Sequence, residues 1–198
     1  MAGKAAVVGV LALQGAVAEH VETLRGLGVS AREVRHATDC EGLDGLLIPG
    51  GESTTLEKLV RRFGIDRAIA KGVDEGMAVW GTCAGMILIA SEIEGAIEGQ
   101  TGLGLFPIRV RRNAFGRQLA SCEVDLAVPS LGEPAFPAVF IRAPVASAVL
   151  DPSVETLADF EGQAVALRYR RLLATSFHPE LTGDPRWHQA FLQLLSLS

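Results

Sequence analysis

The sequence predicts an α/β fold, a three-layer sandwich around a mostly parallel sheet. Three observations carry this. Short apolar runs end at Leu13, Pro49 and Thr82, each at a turn of small residues. Each turn is followed by a segment with helical spacing. The runs are apolar throughout rather than alternating, as strands covered on both faces are. Strands interleaved with helices in this way build a parallel sheet between two helical layers.

The first run, Ala5–Leu13, reads as a buried strand. Lys4 ahead of it and an A-x-A-like end also give it the outline of a secretory signal. The strand reading is preferred because it starts the alternating pattern. Val17, Val21, Leu24 and Gly28 then recur at helical spacing and predict a helix over 16–26. "VSAREVR" reads as a strand. "LDGLLIPGGESTTLEKLVRRFG" repeats the plan, with Leu56, Leu59, Val60 and Phe63 on one helix face, and 65–75 continues as helix. "MAVWGTCAGMILIA" is a third strand, turn and helix.

Beyond this point strands dominate, from Leu103 to Val128, Ala138 to Ile141 and Val154 to Thr175. "FEGQAVALRYRRLLATSFHPE" reads as a hairpin that returns one more strand to the sheet. Pro185–Leu197 predicts a helix with Trp187, Phe191, Leu194 and Leu195 inward. No linker, repeat or low-complexity stretch divides the chain, so 1–198 is expected to be a single domain.

Bulk composition narrows the function classes. With 48% apolar and 21% charged residues the chain is an ordinary globular one. A net charge of −5, from 18 basic and 23 acidic residues, gives no electrostatic reason to expect nucleic acid. No apolar run approaches the ~18 residues of a membrane span. Three scattered cysteines, Cys40, Cys83 and Cys122, contain no CxxC pair. A disulfide framework or structural zinc is therefore not expected, and a reducing, cytoplasmic setting is.

Cys83 stands apart from the other two. It lies between Gly81-Thr82 and Ala84-Gly85, where a strand gives way to a helix. A nucleophile on a sharp strand-to-helix turn needs small neighbours, and helix N–H groups there favour a thiolate. Cys40 and Cys122 lack such turns and read as inert.

"LLIPGGESTT" supports three readings: a tight turn with Ser53 or Thr54 capping the helix, a phosphate loop, or an oxyanion site. The GxxxxGK[ST] spacing of a phosphate loop is absent. Gly50 and Gly51 would let backbone N–H groups approach a ligand closely. In "SFHPELTGD", His178 and Glu180 are two apart, which in an extended chain puts both on one side. That suits an imidazole oriented by a carboxylate. His20, His36 and His188 read as solvent-facing. Arg109, Arg111, Arg112 and Arg117 are too few for a nucleic-acid patch, though one could bind a small carboxylate. All three candidate turns belong at the carboxyl ends of strands, where sites form in such sheets.

"GTCAGMI" with "SFHPELT" resembles the class I (triad) glutamine amidotransferases, whose flavodoxin-like fold the resemblance implies. "GVLALQGAVAEH", "LIPGGESTT", "RRNAFGRQ" and "VFIRAP" resemble the glutaminase subunits of pyridoxal 5′-phosphate synthase. The similarity runs from residue 8 to 183. It implies Cys83 as nucleophile, His178 as general base and Glu180 as its orienting partner. Backbone N–H groups of Gly51 and Ala84 are expected to form the oxyanion hole. It further implies glutamine contacts from Gly51, Glu52, Ser53, Arg112, Ile141 and Arg142, and makes Gln14 a candidate for the partner interface.

Such subunits pass ammonia to a separate synthase subunit in a large hetero-oligomer, which joins it to a pentose phosphate and a triose phosphate. The expected substrate is L-glutamine, with no cofactor and no metal. Two alternatives stay open: a glutaminase serving a different synthase, and a redox-sensing protein with a lone reactive cysteine.

Overall fold

The computed structural model describes residues 5–114 and 121–197. The "RRNAFGRQ" motif beyond Ala114, Arg117 included, lies outside these residues. The chain begins with β1 (Val7–Leu11), α1 (Val17–Gly26) and β2 (Ser30–Val34). β3 (Gly45–Ile48), α2 (Ser53–Arg62), α3 (Ile65–Asp74), β4 (Ala78–Thr82) and α4 (Ala84–Ile89) follow. Then come β5 (Ala90–Glu94), β6 (Phe106–Arg111), β7 (Ser121–Leu126), β8 (Phe136–Ile141), β9 (Val145–Val149) and β10 (Glu155–Phe160). β11 (Gln163–Tyr169), β12 (Leu172–Thr175) and α5 (Arg186–Leu194) close the series.

The main sheet has the order β2-β1-β3-β4-β12-β11-β9-β6-β5. From β2 to β12 it is parallel, and β12, β11, β9 and β6 then pair antiparallel. The hairpin β11–β12 does return a strand to the sheet, where β12 pairs parallel with β4. β7 and β8 form a separate antiparallel pair.

Alternation along the buried strands divides the core. Leu46, Ile48 and Val79 face α2, α3 and α4, in a cluster with Leu56, Val60, Ile65 and Ile69. Leu47, Ala78 and Trp80 face the other way, packing with Leu24 of α1 and Trp187 and Phe191 of α5. Successive side chains of a strand point to opposite faces, so each apolar run supplies both layers.

Several expectations need correction. The helix after Cys83 stops at Ile89 and Ala90 opens β5, a boundary the sequence hides because no turn residue separates the two stretches. "VASAV" is a strand of the main sheet that the small alternating residues of 145–149 did not advertise. Phe63 follows the last residue of α2 and is 43% exposed, set edge-on against His36 rather than in the core. His36 is exposed as expected, but His20 and His188 are fully buried.

Candidate active site

The carboxyl ends of β1, β3, β4 and β12 converge on one cleft of about 370 Å³, within the usual range for small-molecule pockets. β1 lies between β2 and β3, so this is also the point where the strand order reverses. A larger hollow of about 730 Å³, beside Cys40, Arg67 and Lys71, contains none of the expected site residues.

Cys83 sits between β4 and α4 with φ 49° and ψ −105°. Positive φ is strained for a side chain with a Cβ, and such strain collects at nucleophile turns. The small neighbours have a steric cause. A Cβ on Gly81 would meet the backbone of Gly85 at 2.4 Å, and one on Gly85 would meet the Ile48 carbonyl oxygen at 2.1 Å. The Cys83 amide donates to the Thr175 carbonyl at 2.8 Å, and its thiol points at the Ile141 carbonyl at 3.9 Å.

His178 stands beside the thiol. Its backbone amide donates to Val139 of β8 at 2.8 Å, and its Nδ1 lies 2.8 Å from Glu180 Oε1. The two side chains do not meet through an extended chain as expected. Pro179–Leu181 is a single 3-10 turn, which curls the Glu180 carboxylate back under the ring. Burial opposes the charged imidazole, but hydrogen bonds to Cys83 and Glu180 outweigh it and raise the His178 pKa to about 10. Burial likewise opposes ionisation of Glu180, and its contacts with His178 and His20 prevail, bringing it to about 2.

The glycine turn closes the opposite wall. A Cβ on Gly50 would fall 2.4 Å from His178 Cε1 and 3.3 Å from Cys83 Cβ, so only glycine fits there. Gly51 has φ 147° and packs against the Gln14 side chain. Gln14 brackets the next residue, donating from Nε2 to the Glu52 carbonyl at 2.7 Å and accepting from the Glu52 amide at 3.3 Å. Gln14 is thus placed against the turn rather than on the cleft floor.

The α2 cap is neither Ser53 nor Thr54. Glu52 accepts from the Thr54 and Thr55 amides at 3.1 and 2.7 Å. Its slight burial is outweighed by these bonds, which hold the carboxyl at about 2. The Ser53 hydroxyl instead accepts from Gln100 Nε2 at 3.2 Å, and Gln100 Oε1 accepts from Arg112 Nη1 at 3.0 Å. Arg112 Nη2 is 3.7 Å from Glu52 Oε1. Gln100, nearly buried, thereby ties Ser53 to Arg112.

Cys83, Ala84, His178, Glu180, Gly51, Glu52, Ser53, Arg112, Ile141 and Arg142 all line this one cleft, with Asn113 beside them. Cys40, by contrast, is pushed up to about 11 by burial, and burial also raises Cys122. Among the described residues no cluster of His, Cys, Asp or Glu has an arrangement that could hold a metal.

Sequence reading missed three contributors. Gln100 gave no signal, because nothing local marks a glutamine that bridges two distant loops. His20 and His188 did give one. His20 falls in the Val17, Val21, Leu24 stripe at i+3, and His188 adjoins Trp187 on the stripe with Phe191. Both belong to buried faces.

Comparison with known proteins places this geometry in context. The model of the SNO glutamine amidotransferase family matches residues 10–196. The pyridoxal 5′-phosphate synthase subunit PdxT of Herpetosiphon aurantiacus is 57% identical over 189 residues, 94% of this chain and 99% of the relative. The PdxT subunit of Clavibacter sepedonicus is 53% identical over 194 residues, 98% and 92% of the two chains. A crystal structure of a glutamine amidotransferase superposes with TM-score 0.89 at 52% identity, covering 96% of this chain and 99% of that one. PurLQS from Thermotoga maritima, at 16% identity and TM-score 0.67, shares the fold.

Proposed function

This chain belongs to the SNO glutamine amidotransferase family, and from that premise we propose how its cleft takes ammonia from glutamine. The protein is a glutaminase, the glutamine-hydrolysing subunit of pyridoxal 5′-phosphate synthase in vitamin B6 biosynthesis. In our reading residues 1–198 act as one cytoplasmic glutaminase domain. It works within a large hetero-oligomer that contains the synthase subunit.

Cys83 Sγ attacks the side-chain amide carbon of glutamine. His178, which already holds the thiol proton, gives it to the departing nitrogen, so ammonia leaves and a γ-glutamyl thioester remains. A water that yields its proton to His178 then attacks the thioester. Glutamate departs and the proton returns to sulfur. Glu180 keeps Nδ1 of His178 as the donor side, which leaves Nε2 for the proton transfers.

Backbone N–H groups of Gly51 and Ala84 receive the developing oxyanion; losing one such donor costs about 3 kcal/mol. Arg112 offers a guanidinium to the substrate carboxylate, and Glu52, Ser53, Ile141 and Arg142 complete the contacts. The observation that supports this reading most directly is the Nδ1 to Oε1 bond of 2.8 Å on an imidazole packed beside a strained, positive-φ cysteine.

Ammonia is lost easily to bulk water, so its release belongs where a partner can receive it. Glutamate formation should be slow for the chain alone and strongly stimulated by the synthase subunit. Cys83→Ala should lower the stimulated rate at least about a thousandfold. Equal rates with and without the synthase would overturn the partner reading. Turnover retained in Cys83→Ala would overturn the nucleophile.

A further inference from the structure

Glu180 has two carboxylate oxygens, and the triad uses one. Oε1 accepts from His178; Oε2 turns into the interior toward α1, where it lies 3.3 Å from His20 Nε2. That approach is close in distance but off the line of a good hydrogen bond, and neither atom has another hydrogen-bond partner among the described residues. His20 Nδ1 is in turn 2.9 Å from His188 Nε2 on α5. Both imidazoles are fully buried, with Trp80 edge-on to each at 6.0 and 5.1 Å. Apolar side chains would fill this space with no polar group to satisfy. Two histidines in series on a catalytic carboxylate need another reason.

We propose that His20, its tautomer set by His188, is a positioning residue for glutamine hydrolysis: it holds the rear oxygen of Glu180 so that the front oxygen stays aimed at His178. This rests on the triad reading given above.

The direction of the chain follows from which nitrogens can carry protons. Burial lowers the His188 pKa to about 3, so His188 is neutral and has one N–H. On Nδ1 that proton would face no acceptor among the described residues, whereas on Nε2 it is donated to His20 Nδ1. A buried donor without an acceptor is the costlier state. His20 then carries its own proton on Nε2, on the side that faces Glu180 at 3.3 Å. One orientation therefore runs from His188 through His20 and Glu180 to His178, and it leaves His178 Nε2 as the atom that holds the thiol proton. His20 comes from α1 and His188 from α5, so helices in the layer behind the sheet fix the carboxylate from the side away from substrate.

The test is steady-state glutamate formation by the complex with the synthase subunit, for His20→Ala, His20→Asn, His20→Gln and Glu180→Ala, and for His20→Ala combined with Glu180→Ala. His20→Ala should lower kcat about 10- to 100-fold, the range typical of residues that orient a catalytic ligand, with KM within threefold. His20→Gln, whose amide nitrogen reaches the Nε2 place, should recover most of kcat; His20→Asn, which reaches only the Nδ1 place, should not. In the Glu180→Ala background, removing His20 should cost less than a further twofold.

Wild-type kcat in His20→Ala overturns the proposal, as does full additivity with Glu180→Ala. Should His20→Ala not fold, equal kcat in the Gln and Asn variants overturns it just as well. Failure of the triad reading is separable: Glu180→Ala would then itself retain full kcat.

Discussion

The backbone amide of Cys83 donates to the carbonyl of Thr175 at 2.8 Å, which fastens the Cys83 turn to the strand end just ahead of His178. β4 and β12 are parallel neighbours, with Thr82 level with Thr175. Thiol and imidazole therefore leave adjacent strands at the same height. Their separation is governed by the strand spacing of about 4.8 Å and by single turns, not by a long loop.

Gly50 should be intolerant of even one methyl group. Gly50→Ala forces the His178 ring or the glycine turn to move, since the new carbon would lie 2.4 Å from Cε1. We expect kcat to fall about 100-fold, the typical consequence of displacing a catalytic group by about 1 Å. Gly26→Ala, with nothing within 4 Å, serves as the control and should leave kcat unchanged. Wild-type kcat in Gly50→Ala would mean that the ring can yield without loss.

Gln14 should matter for stimulated turnover. Its side chain brackets Glu52 and covers Gly51, so Gln14→Ala frees the turn assigned to the oxyanion. The rate of glutamate formation with the synthase subunit should drop at least about tenfold. Undiminished stimulation would remove Gln14 from the activation of the cleft.

Gln100 should act on substrate binding. Gln100→Leu releases Arg112 and leaves the Ser53 hydroxyl without its donor. One lost hydrogen bond to a charged group is worth roughly 1.5 kcal/mol or more, so KM for glutamine should rise about tenfold with little change in kcat. An unchanged KM in initial-rate measurements would show that Arg112 needs no such support.

Stability should carry the signature of the buried histidine pair. His188 titrates near 6.5 when unfolded and about 3 when folded, so the unfolded chain binds more protons between those values. Stability is thus lost as pH falls from 6.5 toward 3. Glu180, lowered to about 2, acts in the same sense below 4.5. His178, raised to about 10, acts in the opposite one: its contribution is complete below 6.5 and is lost as pH rises toward 10. Urea unfolding at pH 7 and pH 5 should show His188→Asn losing about 2 kcal/mol less than wild type between the two. Equal losses would contradict a His188 held neutral.

The fold was legible where one local pattern decided it. Continuous apolar runs ending in small residues marked β1, β3 and β4, and the hairpin into β12 was visible in its turn and its two apolar arms. "VASAV" was not, because small residues pack in a strand without advertising a period. At the cleft, Cys83, the Gly50-Gly51 turn and the His178–Glu180 pair stood out because each local turn is unusual, whereas the contacts of Glu52, Ser53, Arg112, Ile141 and Arg142 came only from the family resemblance. Gln100 depends on partners in other loops, and a single chain position does not encode that. His20 was a misreading of available information. Polarity suggested solvent, while the helical stripe it shares with Val17 and Leu24 pointed inward, and packing prevailed over polarity once a carboxylate and a second imidazole were there to meet it.

Sequence separation has a consequence for how this protein is made. The contact between His20 and His188 spans 168 residues, and β12, which arrives late, occupies the centre of the sheet beside β4. Closing so long a loop is rewarded only when the strands and helices at both ends are present. During synthesis Cys83 emerges well before His178, Glu180 and α5. On the proposed triad, a nascent or truncated chain has the nucleophile without its base, and the chemistry waits for the last strand of the sheet.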